Sequence, residues 1–145
     1  LRVTFKSIGS EVIQVANYAT GGKYLPHVDA VHTDLGIFNP IEKMAGDRLA
    51  TFMFYLSNIE LGGGTAFPAL GVVARPIPGS ALFWFNLNPD GSVDARTVHG
   101  GCPVLYGNKW VANKWVRSNA QMFTYECPRD GSSNQHFYNK YFKLI

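Results

Sequence analysis

A chain of 145 residues, 46% hydrophobic and only 16% charged, can bury a single core and is too apolar for a disordered tail or a coiled coil. Its net charge of +3 comes from scattered lysines and arginines, with no basic run or basic helix, which argues against nucleic acid or a membrane surface as a partner. No stretch is apolar for the length a bilayer demands, and the opening Leu1-Arg2-Val3-Thr4-Phe5 lacks the charged, apolar and small-residue regions of a signal peptide.

Glu11–Tyr18 alternates Val12, Gln14, Ala16 and Tyr18 against Ile13, Val15 and Asn17, a period of two that predicts a strand. Gly21-Gly22 marks a turn, and Lys23–Asp29 then runs extended, with Pro26 keeping Leu25 out of the helical region. From His32 to Asp47 the alternation is lost, and Gly36, Pro40 and Gly46 predict a loop with one short helical turn at Ile41–Ala45. Leu49–Leu56 is apolar on both faces and predicts a central strand. Leu61-Gly62-Gly63-Gly64 reads as a tight turn or bulge. Val72–Arg75, Ala81–Asn86, Ala95–His99 and Trp110–Val116 predict further strands, parted by Pro-Gly, Asp-Gly and Gly-Asn turns. Many short strands with little helix point to a mainly β sandwich or barrel, for which a jelly roll is the natural candidate.

His27-Val28-Asp29 is the most informative tripeptide. On a strand, residues i and i+2 share a face, so an imidazole and a carboxylate project together. A second histidine from a distant strand completes two imidazoles and one carboxylate, the facial triad that leaves metal positions open for substrate and oxygen. His99, at the end of the Ala95–His99 strand, is the candidate. A lone His-x-Asp pair also arises on harmless surface strands, and a single core histidine is usually satisfied by its neighbours. His32 and His136 share no pattern with a carboxylate and read as structural or solvated.

Lys109 shifts that balance. It shares a strand face with Val111, Asn113 and Trp115, so its ammonium projects among apolar groups. Such a lysine either snorkels to water or fixes a buried carboxylate, which a dicarboxylic cosubstrate chelating the metal at its other end requires. Tyr55, on a face with Leu49, Thr51 and Met53, either donates to that carboxylate or is an ordinary core tyrosine. Cys102 and Cys127 are the only cysteines. They are either free thiols or a bridge contributing roughly 3–4 kcal/mol in the chain-entropy model.

Taken in order, several segments resemble the catalytic domain of prolyl 4-hydroxylases, closest to the collagen-type α subunit. They are Gln14-Val15-Ala16-Asn17-Tyr18, His27-Val28-Asp29, Phe54-Tyr55-Leu56-Ser57 and Gly62-Gly63-Gly64-Thr65-Ala66-Phe67-Pro68. Gly79-Ser80-Ala81-Leu82-Phe83-Trp84, His99-Gly100-Gly101-Cys102-Pro103-Val104 and Gly107–Trp115 complete the set, which spans about Gln14 to Cys127. The ordered set is specific where any single piece is not.

The resemblance implies a double-stranded β-helix, the cupin-like jelly roll with few short helices. It implies hydroxylation of peptidyl proline at C4, coupled to oxidative decarboxylation of 2-oxoglutarate to succinate and carbon dioxide. By position it assigns His27, Asp29 and His99 to Fe(2+) and Lys109 to the far carboxylate of 2-oxoglutarate. Tyr55 and Tyr18 fall near that cosubstrate, and Tyr24, Arg48 and Trp115 fall where relatives contact the peptide. L-ascorbate is implied as the reductant that restores the iron. Cys102 and Cys127 match a bridged pair, which implies an oxidising compartment, the lumen of the endoplasmic reticulum. Implied partners are a collagen-like proline-containing peptide, protein disulfide isomerase and a second α subunit. The Asp34–Asp47 loop is expected to act as a lid over the peptide.

The chain departs from its relatives at Arg117, where many collagen-type enzymes carry a histidine implicated in cosubstrate handling; arginine keeps the charge but cannot switch protonation near neutrality. Residues 1–145 are expected to be one catalytic domain, a piece lacking the N-terminal part, with 128–145 an unmatched extension. A related oxygenase acting on another proline-rich peptide or a small molecule, and a non-catalytic jelly-roll binding module, are the rival readings.

Overall fold

A computed structural model describes residues 9–31 and 40–121, with backbone alone for 41–43. The expectations for His32, residues 34–39, Cys127, residues 128–145 and His136 therefore lie outside the described residues. Among the described residues ten strands carry the fold: β1 Gln14–Tyr18, β2 Tyr24–His27, β3 Arg48–Tyr55, β4 Leu61–Gly62, β5 Thr65–Phe67, β6 Val72–Ala74, β7 Ala81–Phe85, β8 His99–Gly101, β9 Val104–Tyr106 and β10 Lys109–Arg117. One helix, α1 Pro40–Ala45, falls on the expected helical turn. Among the described residues no helix is long and apolar enough to cross a membrane.

One antiparallel sheet runs in the order β1-β10-β3-β7 and a second in the order β2-β8-β5-β6, with β4-β9 as a separate ribbon. This is a double-stranded β-helix, or jelly roll. β3 lies between β10 and β7, as its two apolar faces predict. Its inward residues Met53 and Tyr55 pack with Phe67, Trp84 and Val111. On its other face Ala50 packs with Phe85 and Val116, bordered by Leu49, Phe52 and Phe83. Each such side chain, fully buried, is worth roughly 1.5–3 kcal/mol over exposure, so β3 is held from both sides. The turns match their glycines: Gly79, Gly91 and Gly107 all have positive φ, which a side chain would strain.

Two irregularities decide where functional groups point. In the β10–β3 ladder Val116 pairs with Ala50 while Arg117 pairs with Arg48, so Leu49 is an extra residue on β3. A bulge of one residue reverses the alternation. Without it Arg48 would share the outer face of Ala50 and Phe52; with it Arg48 turns inward. Leu49 consequently joins the outer cluster and not the face of Thr51, Met53 and Tyr55, as simple alternation had suggested. The second irregularity lies in β2, where Tyr24 pairs with Gly101 and His27 with His99, so three steps on β2 match two on β8. Pro26, which has no N–H to give a ladder, sits within this irregularity.

Three boundaries differ from expectation. Ala95–Thr97 is a 3-10 turn capped by Asp94, whose carboxylate accepts the Arg96 N–H, so His99 begins a strand and does not end one. The alternating Glu11–Ile13 precedes β1 and does not belong to it. β6 ends at Ala74, one residue short of the expected Arg75, while the glycine run carries the expected irregularity: Leu61 pairs with Tyr106 but Gly62 with Val104, and Gly62 and Gly63 have positive φ.

Candidate metal centre and pocket

The sheets leave a cavity of about 500 Å³, lined by Tyr18, Tyr24, His27, Asp29, Arg48, Thr65, Trp84, His99, Lys109 and Trp115 among others. At one place on its wall the β2–β8 ladder sets His27 directly opposite His99, ring centroids 4.4 Å apart. Gly100 permits this approach: a Cβ there would lie 3.0 Å from the Tyr24 carbonyl oxygen and 3.2 Å from the Pro26 nitrogen, backbone atoms that cannot swing away. Asp29 follows in a bend just past β2. The alternation argument thus brings the right residues together although the strand ends at His27.

Asp29 Oδ1 lies 3.6 Å from His27 Nε2, and Oδ2 lies 3.8 Å from His99 Nε2. One ligand atom from each residue falls within 4.8 Å of the other two. The two carboxylate–imidazole separations, 3.6 and 3.8 Å, are too long for hydrogen bonds and fall within the roughly 4.2 Å that two metal–ligand bonds of about 2.1 Å can span, so they suit a shared ion. The second nitrogen of each ring is committed elsewhere. His27 Nδ1 is 2.8 Å from the Leu25 carbonyl and His99 Nδ1 is 2.9 Å from that of Thr97. A carbonyl only accepts, so Nδ1 carries the proton and the neutral ring presents its Nε2 lone pair to the shared point.

Burial alone would raise the Asp29 carboxyl, but His27, Thr51, Trp115 and the charge of His99 outweigh it and hold it at about 2. Thr51 donates to Asp29 Oδ2 at 2.6 Å and Asn86 Nδ2 donates to Thr51 Oγ1 at 2.9 Å. The Trp115 indole N–H favours the same charge without meeting hydrogen-bond geometry. Desolvation lowers His99, whose ring lies against Trp84 and Phe67, with centroids at 4.7 and 5.5 Å. His27, half-buried, is raised by the Asp29 carboxylate. The donor set is thus two imidazoles, each with its Nδ1 bonded to a backbone carbonyl, and a fixed carboxylate, which fits a divalent first-row metal.

Lys109 lines the same cavity and is 3% exposed. Its ammonium lies 5.7 Å from the Tyr18 ring centroid and 5.6 Å from that of Tyr55. Among the described residues no carboxylate pairs with it, and burial lowers its pKa. Gly101 carries no side chain here; a Cβ would come within 3.9 Å of Lys109 Nζ. Tyr55 is fully buried behind the wall, its hydroxyl 2.7 Å from Thr65 Oγ1. Thr65 lines the cavity. Burial raises the Tyr18 and Tyr55 hydroxyls, so both stay protonated donors at neutrality.

A third group stands by Asp29. The Arg48 guanidinium stacks 3.6 Å over the Trp115 ring. Glu11 accepts from Arg48 Nε at 2.6 Å and Nη2 at 3.1 Å, and Arg48 Nη1 reaches the Asp29 carbonyl at 3.3 Å. Arg117 does not line the cavity: its Nη2 pairs with Glu11 at 2.7 Å and its Nη1 donates to the Gly46 carbonyl at 2.8 Å. The position flagged for cosubstrate handling therefore serves here to brace Glu11, and through it Arg48. Tyr24 lines the cavity, half exposed, with its ring against His27. Cys102 is half-buried, while its expected partner lies outside the described residues.

Sequence reasoning named His27, Asp29, His99, Lys109, Tyr18, Tyr24, Arg48 and Trp115, which line this cavity, and Tyr55, which lies behind Thr65 and does not. It missed Thr51, Asn86, Thr65 and Trp84 as parts of the site. Thr51 was detectable as a small polar residue two positions before Met53 on the inner face of β3. Asn86 carried no signal, because its role rests on a contact 35 positions away in sequence.

A jelly roll presenting two imidazoles and a carboxylate to one point, with an ammonium in the same cavity that no carboxylate pairs among the described residues, defines an oxygenase of the facial-triad class. The family model described as the 2OG-Fe(II) oxygenase superfamily matches residues 13–117, and the chain belongs to that superfamily. It is 46% identical over 119 residues to prolyl 4-hydroxylase subunit alpha-1 of Gallus gallus, covering 81% of this chain and 23% of that relative. It is 45% identical over 129 residues to subunit alpha-2 of Caenorhabditis elegans, covering 88% of this chain and 24% of the relative. The chain thus spans about a quarter of the length of these relatives. Among solved structures, the viral collagen prolyl hydroxylase of Paramecium Bursaria Chlorella virus-1, determined as its 2OG complex, aligns with a TM-score of 0.65 and 35% identity. That alignment covers 74% of this chain and 59% of the viral one.

Proposed function

We propose that the chain hydroxylates C4 of proline within a collagen-like polypeptide, converting 2-oxoglutarate and dioxygen to succinate and carbon dioxide in the same turnover. The observation that carries this reading is a single cavity holding both the His27/Asp29/His99 cluster and the buried, unpaired Lys109. A ligand that satisfies both ends is a short dicarboxylate that also chelates a metal. The prolyl substrate is supported by the relatives, which are prolyl 4-hydroxylase subunits at about 45% identity.

Ferrous iron, when bound, supplies the oxidising chemistry, and the chain's part is to bind, orient and keep water out. His27, Asp29 and His99 would hold the ion together with the chelating end of the cosubstrate. Lys109 pairs with the distal carboxylate, assisted by the Tyr18 hydroxyl from the adjacent strand and by Thr65, with Tyr55 behind it. Trp84 and Phe67 shield His99 from solvent. Tyr24, Arg48 and Trp115 form the wall that meets the peptide, Arg48 being held rigid by Glu11 and its stack on Trp115. L-ascorbate, assembly with protein disulfide isomerase and a second α subunit, a Cys102–Cys127 bridge and residence in the endoplasmic reticulum lumen belong to the same proposal and rest on the resemblance.

The test is succinate release from 2-oxoglutarate with Fe(II), run with and without a (Pro-Pro-Gly) repeat peptide, followed by mass spectrometry of the peptide. The expected result is peptide-stimulated succinate and a mass gain of one oxygen on proline. Stimulation by a different proline-rich peptide alone would redirect the substrate, and binding without succinate would leave a non-catalytic module.

A further inference from the structure

Thr51 and Asn86 lie outside the ligand set, yet each is only 1% exposed and they form a single hydrogen-bonded line into it. The direction of each bond follows from the groups. A carboxylate accepts only, and Thr51 has one proton, so at 2.6 Å that proton goes to Asp29 Oδ2. Thr51 must then accept from its other neighbour, which places the Asn86 amide nitrogen, and not its oxygen, 2.9 Å away. The Asn86 Oδ1 pointing away makes no hydrogen bond, so the amide gives up one partner to keep this direction.

Asn86 is itself fixed at both backbone ends. Its N–H donates to the Leu49 carbonyl at 2.8 Å, and its own carbonyl accepts the Asp94 N–H at 2.9 Å. Asp94 caps the Ala95–Thr97 turn, whose last carbonyl holds His99 Nδ1. One residue therefore touches two ligands indirectly: Asp29 through Thr51, and His99 through the capped turn. A valine would fill the volume of Thr51 on this strand without a buried hydroxyl needing partners, so packing alone does not account for threonine.

We propose that Asn86 and Thr51 are positioning residues, their one-way hydrogen-bond line holding Asp29 Oδ2 so that Oδ1 is the oxygen offered to the metal. This rests on the reading that His27, Asp29 and His99 bind a metal ion. The line removes the carboxylate's freedom to rotate, so the donor set is ordered before the ion arrives.

The experiment measures Mn(II) binding to the metal-free protein by loss of the free-ion electron paramagnetic resonance signal, for the parent, Thr51→Val, Thr51→Ser and Asn86→Ala. Circular dichroism of each metal-free variant reports folding independently. Loss of an outer hydrogen-bond partner costs metal affinity by about 10- to 100-fold, and that loss is expected for Thr51→Val. Thr51→Ser, which keeps the hydroxyl, is expected to bind like the parent, and Asn86→Ala to fall between them. At saturating Mn(II), 2-oxoglutarate affinity is expected to be unchanged, which a general loosening of the fold would not spare. Parent-like Mn(II) affinity in folded Thr51→Val overturns the proposal, as does a Thr51→Ser defect as large as that of valine. If Thr51→Val does not fold, parent-like binding by Asn86→Ala overturns it. A parent protein that binds no Mn(II) would instead sink the metal-site reading beneath it.

Discussion

The two charged groups of the cavity are treated in opposite ways. Asp29 is buried with support on every side: a hydroxyl, an indole N–H and two imidazoles stabilise its charge, and its carboxyl falls to about 2 despite desolvation. Lys109 is buried without an acceptor among the described residues, and desolvation pushes its pKa down. Burying a charge without a partner is expensive, and proteins keep such a group where something else completes it. Under the proposed function the supported charge is an anchor that holds an ion in one geometry. The unsupported one is then half of an interaction whose other half arrives with a ligand. The two ends should therefore fail separately when altered.

The largest effect is expected at the anchor. Asp29→Ala removes the only carboxylate of the ligand set and leaves Thr51 without its acceptor, so Mn(II) binding and succinate formation should both be lost. Continued turnover in a folded Asp29→Ala protein would break the assignment of this end. At the other end, Lys109→Met keeps the volume of the side chain and removes its charge. Truncating one partner of a buried charge pair costs about 2–5 kcal/mol, so 2-oxoglutarate affinity measured by calorimetry at saturating Mn(II) should fall by about 30-fold or more. Mn(II) affinity itself should be untouched. A variant that loses both together would show that the ends are coupled and that the contrast drawn between them is wrong.

The same contrast explains what could be read from the sequence. Period-two alternation exposed most strands, including central β3, because a strand apolar on both faces has few alternatives. His27 and Asp29 were legible because two polar ligands sit two residues apart in an extended segment. His99 followed from the need for a third donor and from the resemblance, although its strand was placed one turn too early. Asp94 explains that error, since its cap converts the preceding residues into a 3-10 turn, and a cap carries no hydrophobic period. Arg48 could not be placed by alternation either, because the Leu49 bulge that turns it inward depends on how β3 pairs with β10. The Thr51–Asn86 line and the Glu11–Arg48–Arg117 brace are tertiary. Each joins residues far apart in the chain that have no joint pattern in sequence.

The smallest effect, and the one that isolates the unsupported charge, is on stability against pH without metal or cosubstrate. An unfolded lysine titrates at its ordinary value of 10.5, whereas folded Lys109 titrates below it. Between those two values the unfolded chain holds a proton that the folded chain has shed, so stability rises with pH across that window. Below the window both states are protonated and the folded one bears the full cost of the buried charge. Lys109→Met bears no such cost, and replacing an unpaired buried charge by a well-packed apolar group is neutral or stabilising. In urea unfolding the methionine variant should therefore be the more stable near neutrality, and its lead should shrink as pH climbs toward 10.5. Tyr18 and Tyr55, whose rings face Lys109, are present in both proteins, so their own titrations largely cancel in the difference. A lead that stays flat over this range would mean that Lys109 has found an acceptor in the free protein. The carboxylate of the cosubstrate would then have to displace that acceptor, and the two ends of the cavity would no longer differ in kind.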